Sequence, residues 1–289
     1  MNLKSGLMKI LKTGPGTSVQ DLGRSNLSHW GIPISGVADQ KSACWVNHLL
    51  QNRKESAVLE ISQPGLSLSF SDPTIICIAG ASALVKLNGK ETHPSGLIYP
   101  ESGDVLEIGP FYTGARVYLG IKGGFQSEEK LSSKSWYQGI TSLEYAKKGT
   151  ELPYFAVPSP FFPFYAKAKW NTSWFEKTEL EVFPGPDWDL LSKQEKNLIL
   201  THRFTVSSLA NRMAVQLQDL VPNSLPELPT NPVYPGTIQL TSGGKLLLLM
   251  KDAQVTGGYP RILQIEEESQ WILAQKKPGD QLEFSLKRP

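Results

Sequence analysis

Cysteine is scarce in this sequence, since Cys44 and Cys77 are the only two among 289 residues. Their separation matches no metal-binding spacing, so we interpret both as buried thiols of a reducing compartment, with a single disulfide as the alternative. Histidine is scarce too, and the four residues show no zinc-ligand spacing. We therefore expect no bound metal and a cytoplasmic location.

Long apolar runs and blocks of like charge are also missing. The longest aliphatic run, Leu246 to Met250, is far too short to span a bilayer. No apolar run of signal-peptide length follows Lys4 and Lys9. Lys plus Arg number 29 against 27 for Asp plus Glu, without a basic block interleaved with aromatics. Neither a membrane nor nucleic acid is an expected partner.

Glycine and proline are abundant by contrast, with 25 and 21 residues that fall between short apolar runs. This spacing favours many short strands, and Asn88-Gly89 predicts a two-residue hairpin turn. Helical patterns cover 40–50, with Asp39 as the N-cap, then 190–200 and 269–275. The sequence thus predicts a mainly β, antiparallel, barrel-like fold with a few helices. The predicted strands are 7–11, 57–61, 66–70, 74–79, 83–87, 105–108, 115–121, 180–183, 204–206, 213–217, 237–240, 246–250 and 281–286.

The length suffices for two domains. We place an N-terminal barrel with an inserted helix at 1–152, a connector at 153–178 and a C-terminal barrel-like domain at 179–289. A Gly-Asp turn enters a strand near the end of each half, at Gly103-Asp104 and Gly279-Asp280. Two related barrels in tandem, or one common hairpin entry used twice, would produce this repetition.

Aromatic residues are dense from Gln126 to Lys177, which argues against a disordered linker. An arm packed across two domains is our preferred interpretation. A surface buried against another protein, including residues 154–175, is the second, and a ligand-stacking platform is the third. The aromatic residues are Trp136, Tyr137, Tyr154, Phe155, Phe161, Phe162, Phe164, Tyr165, Trp170, Trp174 and Phe175.

Polar side chains collect in two glycine-containing loops. The first precedes the predicted helix, and glycines and prolines can shape it without regular structure. It is equally well interpreted as a site for an anionic small molecule or as a salt-bridged surface loop. The second loop, 251–261, follows the most apolar strand, and its Thr256 to Gly258 fit either an anion nest or a plain tight turn. The polar residues of the first loop are Gln20, Asp21, Arg24, His29, Ser35 and Asp39.

Several familiar motifs are not present. Gly244-Lys245 is followed by Leu246 and lacks the first glycine of a phosphate-binding loop. A Gly-x-Ser-x-Gly nucleophile elbow is missing. Met250-Lys251 is followed by Asp252 and is not surrounded by the pattern of a biotin carrier.

The ordered motifs of the whole chain resemble the biotin-dependent carboxyltransferase family that contains the C subunit of 5-oxoprolinase, the KipI antagonist KipA and allophanate hydrolase subunit 2. The chain departs from the family pattern at 131–135, where relatives tend to have Gly-Ser-x-Ser-Thr, and at Asn211 and Ala214, where Asp and Gly are usual. The matching motifs are Thr-Ser-Val-Gln-Asp-Leu-Gly-Arg (17–24), Gly-Ile-Pro-x-Ser-Gly-x-x-Asp (31–39), Leu-Glu-Ile (59–61), Phe-Pro-Gly-Pro (183–186), Asn-Arg-Met (211–213), Pro-Gly-Thr-Ile-Gln (235–239), Thr-Gly-Gly-Tyr-Pro (256–260) and Leu-Ala-Gln-x-x-Pro-Gly-Asp (273–280).

This resemblance implies two tandem cyclophilin-like β-barrel domains and a subunit of an ATP-dependent 5-oxoprolinase, a hydrolase that opens 5-oxo-L-proline to L-glutamate. It implies a KipI-like B subunit and the A subunit of 5-oxoprolinase as partners, with ATP bound by this chain or by the complex. The implied catalytic residues are Asp21, Arg24, His29, Asp39 and Glu60. The implied substrate-binding residues are Gln20, Ser35, Gln239, Asp252, Gln254, Thr256, Gly257, Gly258 and Tyr259.

Within this resemblance, Arg24 is the candidate for binding a substrate carboxylate or phosphate, and His29 for carrying a proton. Two other functions stay open: a carboxyltransferase or allophanate/urea-type subunit working with a biotin carrier, and a non-catalytic regulator that binds a KipI-like kinase inhibitor. We further expect the two polar loops to meet in one cleft, and the chain to be inactive alone. Replacing Arg24 by Ala is expected to remove a ligand contact without disturbing core packing.

Overall fold

The computed structural model describes residues 4–92, 96–158, 170–226 and 228–287. Of the described residues, 37% lie in strands and 14% in helices, which confirms the predicted mainly β, barrel-like fold. It divides into two compact units, Met1–Arg24 with Asp39–Thr172, and Ser25–Ala38 with Ser173–Pro289. None of the helices within the described ranges is long and apolar enough to cross a membrane.

The first unit, over its described residues, contains a nine-stranded antiparallel sheet with one helix packed on it. The strand order is β2-β3-β8-β4-β1-β9, and β5 pairs with β6, β7 and β8. The elements are β1 (Ser5–Lys12), β2 (Ser18–Gln20), α1 (Gln40–Leu49), β3 (Val58–Ile61), β4 (Leu66–Phe70), β5 (Ile76–Leu87), β6 (Lys90–Glu91), β7 (Leu97–Ile98), β8 (Val105–Ile121) and β9 (Glu151–Phe155).

The long strand β8 organises this sheet, since it pairs with β3, β4 and β5 in succession. Leu119 lies opposite Leu59 and Leu106 lies opposite Leu68, so alternate residues supply the core. All four side chains are fully buried. Hydrophobic burial along one face therefore specifies the pairing register.

Helix α1 begins as predicted, because the Asp39 carboxylate accepts a hydrogen bond from the Ser42 N–H at 3.0 Å. Its apolar face lies against β8 at Gly120. A Cβ built on Gly120 would lie 2.2 Å from Val46 Cγ1 and 2.9 Å from Leu50 Cδ1. Only a residue without a side chain allows the helix to approach the sheet this closely.

The second unit contains a seven-stranded sheet in the order β11-β18-β10-β17-β14-β15-β12, counted over its described residues. Strands β10 and β18 are parallel, and a bridge between Val206 and Leu217 nearly closes the sheet into a barrel. The elements are β10 (Glu179–Pro184), α2 (Lys193–Thr201), β11 (Phe204–Thr205), β12 (Ala214–Leu220), β13 (Asn231–Pro232), β14 (Thr237–Leu240), β15 (Lys245–Leu249), β16 (Thr256–Gly257), β17 (Arg261–Ile265), α3 (Glu267–Ala274) and β18 (Gln281–Leu286), with short 3₁₀ turns at Ser28–Trp30, Ser173–Glu176 and Trp188–Leu190.

Three local predictions were wrong. The first polar loop is not free of regular structure, because Ser18–Gln20 form β2 and pair with β3. The predicted helix at 190–200 begins only at Lys193, since Ser192 and Glu195 form a reciprocal capping box there. The predicted strand pairs 74–79 with 83–87, and 105–108 with 115–121, are the single strands β5 and β8.

The repeated Gly-Asp sequence forms the same turn in both units. Gly103 and Gly279 have left-handed backbones, with φ of 87° and 91°. In each turn the following Asp carboxylate accepts from the backbone N–H three residues earlier, at 2.8 Å. The shared motif is therefore a shared strand entry, and both explanations of its origin stay open.

Residues 25–38 lie in the second unit, whereas the sequence placed them in an N-terminal domain of residues 1–152. The physical reason is a pair of backbone contacts with distant residues: Ser35 N–H donates to the Lys251 carbonyl at 2.9 Å, and Arg212 Nη2 donates to the Gly36 carbonyl at 2.7 Å. Such contacts carry no local sequence pattern.

The predicted connector at 153–178 begins within β9, which contains Tyr154, and includes the 3₁₀ turn with buried Trp174 and Phe175. Trp170 stacks on Trp45 of α1, with ring centroids 5.2 Å apart. Phe161, Phe162, Phe164 and Tyr165 lie outside the described residues. The assignment of this stretch as an arm or a partner surface stays a prediction.

Both cysteines are free thiols. Cys77 is buried in β5, and burial raises the pKa of its thiol from 9.0 to about 12. Cys44 lies half-buried on α1, where burial also raises its thiol pKa. Both cysteines are therefore thiols, as predicted, but only Cys77 of the two is fully buried.

The close approach of α1 to β8 generates a stability test. We expect Gly120→Ala to lower the free energy of unfolding by about 1–3 kcal/mol, because the new methyl group overlaps Val46 and Leu50. The matched control is Gly109→Ala on the same strand, where the nearest atoms to a new Cβ lie at 3.5 Å. Urea unfolding of both variants checks this, and equal effects would contradict it.

Candidate functional site

Three of the polar residues implied as catalytic or substrate-binding form a dense network at β2 and the loop after it. The Asp21 carboxylate accepts hydrogen bonds from Gly23 N–H at 2.8 Å, Lys134 N–H at 2.6 Å, and the hydroxyls of Ser133 and Ser135 at 2.7 Å. These hydrogen bonds hold residues 133–135 against the loop that contains Asp21.

Arg24 and Gln20 bind the same segment. Arg24 is buried, and its Nη2 donates to the Ser135 carbonyl. Gln20 Nε2 donates to Ser18 Oγ at 2.9 Å and to the Trp136 carbonyl at 3.3 Å. The expectation that Arg24→Ala leaves packing undisturbed was therefore wrong, because the side chain is buried and hydrogen-bonded within the unit.

A cavity of about 320 Å³ lies beside Asp21 in the first unit. Its walls carry charges of both signs, with Arg53 and Lys134 against Glu55 and Glu129. It has room for a small polar molecule. The lining residues are Asp21, Leu22, Gly23, Arg53, Glu55, Ser56, Ala57, Gly123, Gly124, Phe125, Glu129, Ser132 and Lys134.

Asp39 and Glu60 meet at Tyr118 on β8. The Tyr118 hydroxyl accepts from Asp39 N–H and donates to Glu60 Oε2, both at 2.8 Å. Arg116 Nε lies 3.6 Å from Glu60 Oε1. All four residues are buried. Burial first, then the charges of Glu60 and Asp39, raise the pKa of Tyr118 well above 10.0, so the hydroxyl stays a donor.

The second unit contains a buried ion pair that the sequence analysis missed. Arg212 donates from Nε and Nη2 to the two carboxylate oxygens of Asp252, at 2.7 and 3.0 Å. The same Nη2 reaches the Gly36 carbonyl, and Asp252 N–H donates to the Arg212 carbonyl at 2.8 Å. Arg212 lies within the Asn-Arg-Met motif, which was the available indication. The resemblance implies substrate binding for Asp252, and that role stays a prediction.

Ser35 lies next to this pair and is fully buried. Its backbone is left-handed, with φ of 56°, which is uncommon for a residue with a side chain. Its N–H binds Lys251 at the start of the second loop. The Ser35 hydroxyl has no hydrogen-bond partner among the residues that the structure describes.

The second loop packs on Gln239 of β14. Gln239 is fully buried, and its Nε2 donates to the Tyr259 carbonyl at 3.2 Å. A Cβ on Gly257 would lie 2.7 Å from that nitrogen. Thr256 and Gly257 form β16, paired with β13, rather than the predicted turn or nest. Gly258 accepts from Leu228 N–H at 2.8 Å, while Gln254, Thr256 and Tyr259 are exposed.

Ser35 and the second loop therefore meet within the second unit, as the one-cleft hypothesis expects for that part of the first loop. His29 belongs to the same unit and is exposed, with its ring centroid 4.9 Å from that of Trp30. Asp21 and Arg24 belong to the first unit. Their contribution to a shared cleft, and every catalytic role above, stays a prediction.

Residues 30–286 match the model of the carboxyltransferase domain, subdomain A and B. The chain belongs to this carboxyltransferase family. It is 28% identical to the C subunit of 5-oxoprolinase from Escherichia coli, covering 96% of this chain and 90% of that protein. It is 27% identical to urea amidolyase of Saccharomyces cerevisiae, covering 96% of this chain but 16% of that protein.

Solved structures of similar proteins agree in fold. The crystal structure of TTHA0988 matches with a TM-score of 0.85 and 26% identity over 99% of this chain. That of Kluyveromyces lactis urea carboxylase matches with a TM-score of 0.84 and 25% identity over 98%. The chain spans 56% of TTHA0988 and 28% of the urea carboxylase.

Two of the departures from the family pattern have structural explanations, and nothing in the structure explains Ala214. The Asn211 carboxamide oxygen accepts from the N–H groups of Met213 and Ala214, as an aspartate oxygen would. Leu131 and Ser132 both have left-handed backbones, with φ of 54° and 59°, in a two-residue turn that favours glycine. The bonds from Asp21 to the following residues hold that turn.

Tyr118→Phe tests the first-unit network. We expect the free energy of unfolding to fall by about 1–3 kcal/mol at neutral pH, because Asp39 N–H and Glu60 Oε2 lose a buried partner. The folded pKa of Tyr118 is raised, so its contribution is complete below about pH 10 and is lost as pH rises further. In urea unfolding, the difference in the free energy of unfolding between wild type and Tyr118→Phe should become smaller above pH 10. A constant difference up to pH 11 would exclude this linkage.

Arg212→Met tests the buried ion pair. We expect this substitution to lower the free energy of unfolding by about 3–5 kcal/mol, since Asp252 is left as an uncompensated buried charge. Adding Asp252→Asn should recover part of that loss. The control is Arg203→Met, whose pair with Glu283 is exposed and is expected to contribute at most about 1 kcal/mol. Similar losses in Arg212→Met and Arg203→Met would refute the assignment.

Proposed function

We propose that this chain is one of the subunits of an ATP-dependent 5-oxoprolinase, which hydrolyses the lactam of 5-oxo-L-proline to L-glutamate. The observation that carries the proposal is the alignment with the C subunit of 5-oxoprolinase over 90% of that protein. The alignments with urea amidolyase cover only 16% of much longer chains. The similarity thus extends over nearly a whole subunit of the first enzyme and a small part of the second.

The reaction requires activation of a poor electrophile. Phosphorylation of the lactam oxygen by ATP would make the ring carbon reactive toward water, and N–H or cationic groups would stabilise the oxygens. Arg24 fits this poorly as a phosphate ligand, because it is buried and already donates to the Ser135 carbonyl. Together with the missing phosphate-binding loop, this favours ATP binding by the A subunit or by the assembled complex.

Apart from Gln20, the candidate substrate-binding residues of this chain lie in the second unit. Ser35, Gln239 and the exposed side chains of Gln254 and Thr256 are neutral hydrogen-bonding groups. Such groups match the C=O and N–H of a lactam. The proposed partners are a KipI-like B subunit and the A subunit of 5-oxoprolinase, with this chain inactive alone.

The second candidate function is a carboxyltransferase step with a biotin carrier on another chain. It is favoured by the fold match with Kluyveromyces lactis urea carboxylase over 98% of this chain. The lactam and urea share the amide group, so the same neutral side chains serve either substrate. Only an assay with assembled partners separates the two.

The test is co-expression with a KipI-like B subunit and an A subunit, followed by an assay of glutamate release from 5-oxoproline with ATP. We expect steady turnover by the complex and none by the single chain. Gln254→Ala should lower kcat/KM about tenfold without changing stability, because Gln254 is exposed. Gln281→Ala, also an exposed glutamine, should leave kcat/KM unchanged.

Three results would overturn parts of the proposal. Turnover by the purified chain alone excludes the required complex. If the complex does not hydrolyse 5-oxoproline but carboxylates urea once a biotin carrier is supplied, the second function is assigned. A complex inactive in both assays, whose KipI-like member loses its binding to a histidine kinase, identifies a regulator.

A further inference from the structure

The cavity beside Asp21 in the first unit is surrounded by charges of both signs. Arg53 and Lys134 supply two positive charges, and Glu55 and Glu129 supply two negative ones. Among the described residues, the side chains of Arg53, Glu55 and Glu129 form no hydrogen bond or ion pair, and all three are exposed. Opposite charges that line one cavity of about 320 Å³ without pairing are available to a ligand.

Hydrogen bonds between distant segments hold the backbone of this cavity in place. Gly123 N–H donates to Asn52 Oδ1 at 2.8 Å. Lys134 Nζ donates to the Phe125 carbonyl at 3.1 Å, and Lys134 N–H donates to the Asp21 carboxylate at 2.6 Å. The segments that carry the charges are therefore fixed in position before a ligand arrives. A site formed in advance loses less conformational entropy when it binds.

The charged groups of the cavity differ in how far the fold already uses them. The Asp21 carboxylate accepts four hydrogen bonds from neighbouring N–H and hydroxyl groups, which occupy its lone pairs. The carboxylates left to bind a positive group are those of Glu55 and Glu129. The Lys134 ammonium has three donors, of which the Phe125 carbonyl takes one. Lys134 can therefore still bind an anionic group together with Arg53.

We propose that this cavity binds a small α-amino acid in its zwitterionic form. Arg53 and Lys134 bind its carboxylate, and Glu55 and Glu129 bind its α-ammonium group. The charges of these four side chains sum to zero, which favours a zwitterion over a phosphate or another simple anion. Neither 5-oxo-L-proline nor urea has an ammonium group. The site is thus distinct from the substrate contacts proposed in the second unit and does not depend on the proposed function.

Titration of the purified chain, followed by NMR of the ligand, tests the site with L-glutamate and L-glutamine. We expect both to bind, and N-acetyl-L-glutamine not to bind, because acetylation removes the positive charge of the amino group. Both affinities should fall as salt rises from about 20 to about 300 mM, because exposed charges are screened. Tighter binding of L-glutamate than of L-glutamine would assign the second carboxylate to the site as well.

Two substitutions test the charges separately. Glu129→Gln and Arg53→Met should each weaken the binding of both amino acids about five- to tenfold, since each removes one charge-assisted contact. Both side chains are exposed, so the melting temperature should stay unchanged. The matched control is Glu91→Gln, at an exposed glutamate of β6 outside the cavity, which should leave both affinities unchanged.

The proposal is overturned if the dissociation constants of both amino acids exceed about 10 mM at low salt. It is also overturned if N-acetyl-L-glutamine binds as tightly as L-glutamine, or if Glu129→Gln and Arg53→Met leave the affinities unchanged. The titration requires neither ATP nor partner chains. These results are therefore independent of whether the assembled complex hydrolyses 5-oxoproline.

Discussion

The buried Arg212–Asp252 pair is the interaction on which the second unit's candidate site depends. Two charges inside a protein are tolerated only when they are paired and hydrogen-bonded. Here the pairing is bidentate, and the same guanidinium also binds the Gly36 carbonyl. One side chain thereby fixes the Ser35–Gly36 turn against the second loop. These contacts hold the backbone at Ser35, whose φ is 56°.

In the first unit, the carboxylates that the resemblance implies as catalytic also make structural hydrogen bonds. Asp21, Asp39 and Glu60 all have buried or half-buried carboxylates, and each has specific partners within the unit. The bonds of Asp21 hold residues 133–135 in place, and Asp39 caps the N-terminus of α1. Asp39 and Glu60 both bind Tyr118, which connects α1 to the sheet. The same carboxylates that a mechanism would use for acid–base chemistry thus have stated structural roles. The two roles are separable only by measuring turnover and stability on the same variants.

The function that we propose involves an amide or ureido carbonyl. Ser35 and Gln239 of the second unit are neutral hydrogen-bonding side chains, and both are fully buried. A neutral carbonyl requires oriented donors more than it requires charge. This accords with the pairing of the buried Arg212 by Asp252, which leaves the turn polar without a net buried charge.

The sequence by itself determined the local structure, because short-range physics dictates it. Alternating apolar residues gave the positions of most strands, Asp39 capped α1, and the two Gly-Asp turns recur with the same hydrogen bonds. The motifs also indicated the family. Only the tertiary structure decided that residues 25–38 complete the second unit, that β10 and β18 run parallel, and that Arg212 binds both Asp252 and the Gly36 carbonyl. Arg212 and Gly36 are 176 residues apart, and a contact between such distant residues has no periodicity or turn pattern from which one sequence could predict it.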